Sequence, residues 1–135
     1  MKFLALLFVA AAGAATPSPA STAMPPEITS LAAGIRAEKE HSKRIELLTG
    51  LMNEVKKRIS ELPEDIDEAE LPRVQMLYEL NVLFGSLRPE TMNPATCPKV
   101  LRTMEEMVNP RGSDAFGASA TGRLAIDVVK SVCAP

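Results

Sequence analysis

The sequence predicts an all-α protein: a small helical bundle of about four helices behind a cleaved N-terminal signal peptide, its last two helices joined by one disulfide. Three observations predict it. Apolar residues recur at steps of three and four in successive stretches, which is the spacing of one helix face. Pro63, Pro72, Pro89 and Pro110 bound those stretches, where proline stops a helix or opens one. Cys97 and Cys133, the only cysteines, fall at the start of one such stretch and the end of the next.

The pattern is clearest over residues 45–62. Ile45, Leu48, Met52, Val55, Ile59 and Leu62 make the stripe, and Leu47 and Leu51 widen it. Glu46, Asn53, Glu54, Lys56, Lys57, Ser60 and Glu61 fill the opposite side. Such a stripe must be covered, and the later segments read as its covers.

Taken in order, residues 1–15 read as a secretory signal. Lys2 supplies a positive start, residues 3–12 are an unbroken apolar run, and Ala12-Gly13-Ala14 offers a peptidase site. The run is too short to span a bilayer. No Cys follows it to carry a lipid, so the expected location is secreted or periplasmic, with no stable membrane anchorage. Residues 16–26 are rich in Pro, Ser and Ala and read as a disordered lead-in. Residues 27–135 remain as a single helical domain, large enough for one core.

Pro25 and Pro26 suit a helix start, with Glu27 in the first turn. Ile28, Leu31, Ala32 and Ile35 form a short stripe, which then fails across residues 36–44, where only Ala37 is apolar. One long helix over residues 27–62 with an exposed middle is expected, and a break near Gly34 is the alternative. Folding alone does not demand that polar middle. Lys39, Glu40, His41, Lys43 and Arg44 are therefore the candidate partner surface.

Residues 63–71 form an acidic connector. From Pro72, the residues Met76, Leu77, Leu80, Leu83, Phe84 and Leu87 make a wide apolar face flanked by Val74, Tyr78 and Val82. Glu79 falls among the few polar positions. A face that wide predicts the most buried helix. Asn93-Pro94 opens a third helix, which turns Cys97, Val100, Leu101, Met104, Met107 and Val108 inward. Residues 111–122 read as a small-residue loop with a helical turn near Phe116. A last helix puts Ala125, Val128, Val129, Val132 and Cys133 on one side. If the last two helices lie antiparallel, Cys97 meets Cys133, and the bridge stabilises the fold by roughly 4 kcal/mol in the chain-entropy model.

Composition and motifs argue mostly by exclusion. The net charge is −2, and losing Lys2 with the signal makes the remainder one unit more acidic. No basic face is left for nucleic acid. The acidic connector fails as a calcium loop, because Glu70 stands where Gly is needed and Met76 where the bidentate Glu should be. Gly117-Ala118-Ser119-Ala120-Thr121 lacks the second Gly of a nucleophile elbow. His41, the only His, has no apolar pocket around it to make it a base, and a four-ligand metal site is hard to assemble. No paired carboxylates or phosphate cradle stand out. Met52, Met76, Met104 and Met107 fit either a core or an adaptable client surface, and Lys56, Lys57 and Arg58 fit a solvated face.

In outline the chain resembles small one-disulfide helical proteins of the bacterial periplasm, such as acid-stress chaperones and the immunity proteins paired with secreted toxins. The likeness rests on the signal, the helices, and Cys97-Pro98 followed by a helix-borne Cys133. It spans the last forty or so residues and carries no functional residue across. The expected function is an exported helical protein-binding module (inhibitor, immunity protein or small chaperone) without cofactor or enzymatic activity. A carrier of an apolar small molecule within the bundle is the alternative, and a hydrolase of unrecognised type is third.

Overall fold

A computed structural model describes residues 24–110 and 119–135. The expected signal peptide, most of the lead-in and the helical turn near Phe116 lie outside the described residues. Five helices occur among them and no strand: α1 Pro26–Ala37, α2 His41–Ser60, α3 Leu71–Phe84, α4 Cys97–Val108 and α5 Ala120–Val132. Single 3-10 turns at Glu68–Glu70 and Pro89–Thr91 precede α3 and α4.

The continuous helix expected over residues 27–62 is two helices. The break is at residues 38–40, not at Gly34, which lies inside α1. Glu38 leaves the helix with φ −78° and ψ 134°, and its own carboxylate accepts from the Lys39 and Glu40 backbone N–H groups at 3.1 Å each. The chain then turns back, so that Glu27 at the start of α1 pairs with Arg58 at the end of α2 at 2.8 Å. A straight helix would have left Ile28, Ala32 and Ile35 in water. Folded back on α2, they are 0%, 2% and 0% exposed. Each isoleucine contributes about 1.5–3 kcal/mol by that burial. Residues 38–40 carry no apolar side chain to bury, so breaking the helix there loses only a few backbone hydrogen bonds, and Glu38 replaces some of them.

The centre of the bundle is α5, which packs against all four other helices. This corrects the expectation that the helix after Pro72 would be the most buried. Ala125, Val128, Val129 and Val132 are at most 1% exposed. Short β-branched side chains let four neighbours approach closely, whereas the longer Leu and Met side chains of α3 would hold them apart. α3 instead covers one side. Val74, Leu77, Leu80, Leu83 and Phe84 face inward, Met76 is half-buried, and Tyr78 and Val82 face water. On α2 the buried line is Arg44, Leu48, Leu51 and Val55, so Ile45, Met52 and Ile59 sit at its edge.

Cys97 in the first turn of α4 is bonded to Cys133, the residue that caps α5. Their Cα atoms lie 5.7 Å apart, within the ordinary range for a disulfide. The last two helices are therefore antiparallel, with the bridge at one end. Residues 119–122, expected as the end of a loop, instead begin α5. Ser119 caps α5, accepting from the Gly122 N–H at 3.0 Å, and residues 120–122 are its first turn.

Candidate functional site

The five residues of the candidate partner surface gather at the elbow between α1 and α2, but they do not share one solvated face. Lys39, Glu40 and Lys43 are exposed, with Lys43 and Glu40 3.9 Å apart. His41 is half-buried, its Nε2 lying 2.8 Å from the Met92 carbonyl. Arg44 is only 7% exposed. Its Nε donates to the Glu38 carbonyl and its Nη1 to the Ala134 carbonyl, both at 2.6 Å. One turn before Leu48, Arg44 falls on the buried line of α2, so its guanidinium ties the elbow to the chain just past α5.

Two features of α3 were not singled out as a site in the sequence. Leu71, Tyr78 and Val82 follow one another along its outer face and are 42%, 51% and 65% exposed. The helix is apolar nearly all the way round, and sequence could not say which part of so wide a face would be covered.

The second feature is a cleft of about 250 Å³ where α3, the end of α4 and the start of α5 meet. Val82, Leu83, Met107 and Val108 form its apolar walls, and Glu79, Ser119 and Thr121 its polar edge. Glu79, read from the sequence as one of the polar positions on α3, is half-buried here. Thr121 is 1% exposed and donates its hydroxyl to the Glu79 carboxylate. The Ser119 hydroxyl lies 3.2 Å from that of Thr121. The signal was present in the sequence as an isolated Thr in an otherwise apolar stripe, since a buried hydroxyl needs a partner.

A wider hollow of about 540 Å³ lies beside the disulfide, lined by His41, Pro94, Pro98, Leu101 and the chain after α5. Of the methionines, Met104 is fully buried in the core, while Met107 is half-buried at the cleft. Among the described residues no group of three His, Cys, Asp or Glu could hold a metal ion, and no helix is long and apolar enough to cross a membrane. Compared with family models, curated proteins and solved structures, the chain matches none.

Proposed function

We propose that the chain is an exported helical protein-binding module, of the inhibitor, immunity-protein or small-chaperone type, acting through the outer face of α3. The observation that carries this reading is the exposed line Leu71, Tyr78 and Val82. A helix that is apolar on its outer as well as its inner face holds a surface for another apolar surface. An amphipathic partner helix laid along that line would bury it, and tyrosine, with an apolar body and a polar tip, suits the middle of such a contact. The disulfide accords with an oxidising compartment. The alternative, a carrier of an apolar small molecule, draws its support from the cleft at Glu79, at the surface of the bundle and not within it.

The test is capture of partners from the native exported fraction by wild-type protein and by the Tyr78→Asp/Val82→Asp variant. Both positions are exposed, so the variant's thermal midpoint should stay within a few degrees of wild type. Loss of a stoichiometric partner with the fold intact supports the reading. Undiminished capture refutes this face and returns attention to Lys39, Glu40 and Lys43 at the elbow.

A further inference from the structure

The disulfide forms part of the wall of the wider hollow at the elbow end of the bundle. Both cysteines line that space of about 540 Å³, beside the apolar Pro94, Pro98 and Leu101. The two cysteines are not equivalent. Cys97 is 6% exposed and opens the first turn of α4, whereas Cys133 is half-buried and caps the end of α5. Access therefore favours attack on the Cys133 sulfur. The leaving group favours the same sulfur. A thiolate at Cys97 sits at the positive end of a helix dipole, and one at Cys133 sits at a negative end. In disulfide exchange the more acidic thiol leaves faster. The chain next to Cys133 also has a hold that does not run through sulfur, because Arg44 donates to the Ala134 carbonyl at 2.6 Å.

We propose that this bridge is a thiol-exchange site, at which a small thiol with an apolar arm modifies Cys133. The arm lies on Pro94, Pro98 and Leu101, and the thiolate attacks the Cys133 Sγ. A sulfur–sulfur bond forms between the incoming thiol and Cys133 as the Cys97–Cys133 bond breaks. Its electron pair leaves with the Cys97 Sγ, which takes a proton from water. The incoming sulfur is oxidised to the disulfide level and Cys97 is reduced, so the step needs no other oxidant. At about 30 Å³ per water-sized group, 540 Å³ has room for roughly eighteen non-hydrogen atoms, more than a benzyl arm occupies. Burying that arm against apolar walls favours it over a polar one of similar thiol acidity. The site is separate from the outer face of α3 and from the cleft at Glu79.

The test exposes the full, disulfide-intact chain in native buffer to benzyl mercaptan or to 2-mercaptoethanol at equal thiolate concentration. Excess N-ethylmaleimide stops the reaction at short times. Trypsin, cutting at Arg102 and Lys130 among other positions, then separates the cysteines for mass spectrometry. The expected product carries the thiol on Cys133 and the maleimide on Cys97, at least about fivefold over the reverse pattern. Benzyl mercaptan should react about tenfold faster than 2-mercaptoethanol. Benzyl alcohol, with the same arm and no sulfur, should slow benzyl mercaptan and leave 2-mercaptoethanol unchanged. Leu101→Asp, with its thermal midpoint checked, should bring the two thiols to the same rate. If that variant does not fold, the benzyl alcohol competition on the wild-type chain decides. Adducts divided evenly between the cysteines, or favouring Cys97, would overturn the proposal. So would equal rates for the two thiols on the wild-type chain, indifference to benzyl alcohol, or adducts that form only in denaturant.

Discussion

Arg44 gives the sharpest test of the fold, because sequence pattern placed it on a solvated surface and the structure buries it. Its guanidinium reaches the Glu38 carbonyl and the Ala134 carbonyl at 2.6 Å each. A hydrogen bond from a charged donor contributes about 1.5–3 kcal/mol, so the two together bound the loss at about 3–6 kcal/mol. Two effects reduce it. Removing the side chain relieves the cost of taking a guanidinium out of water, and alanine is a slightly better helix former. Arg44→Ala should therefore destabilise by about 2–4 kcal/mol, lowering the thermal midpoint by roughly 8–16 °C at about 4 °C per kcal/mol. Lysine keeps the charge but is a point donor that cannot span both carbonyls, so Arg44→Lys should recover about half of the loss. Lys43→Ala, one residue away and exposed, should change stability by about 0.5 kcal/mol or less. The assay is urea unfolding followed by circular dichroism, with the disulfide intact and the denaturant slope checked for constancy. If Arg44→Ala and Lys43→Ala unfold at the same urea concentration, the guanidinium does not hold the elbow.

Two further outcomes follow from the packing. Leu80, fully buried on α3, should cost about 2–5 kcal/mol when changed to alanine, whereas Tyr78→Ser on the outer face of the same helix should cost about 1 kcal/mol or less; equal losses in denaturant unfolding would mean the helix is rotated. Unreduced, denatured protein should titrate no free thiol, and Cys133→Ser should lower stability by about 2–5 kcal/mol, an expectation overturned if the variant melts with the wild type.

Much of the fold was legible because it depends on local spacing. Pro63, Pro72, Pro89 and Pro110 divide the chain wherever the fold is read, and the stripes on either side of them specify helix without knowledge of any neighbour. The pairing of the last two helices was legible too, since helices lying antiparallel bring Cys97 at the start of one to Cys133 at the end of the next, and the bridge forms there. The elbow was harder. Residues 36–44 favour a helix by their own propensity, and only the gain from burying Ile28 and Ile35 against α2 turns the chain back at Glu38. That gain comes from contact between two segments, which no reading of either one contains.

The candidate site divides in the same way. The sequence by itself determined that α3 is apolar on more than one face; Thr121, read as part of a loop, proves to lie in the first turn of α5. Only the tertiary structure decided which face stays in water. With α5 as the hub, α3 has one neighbourly side, and Leu71, Tyr78 and Val82 are left on the other. The partnering of Thr121 with Glu79 and the burial of Arg44 were likewise settled between helices distant in sequence. A stripe states that a residue must be covered or paired; which atom does the covering is a matter of distance in space.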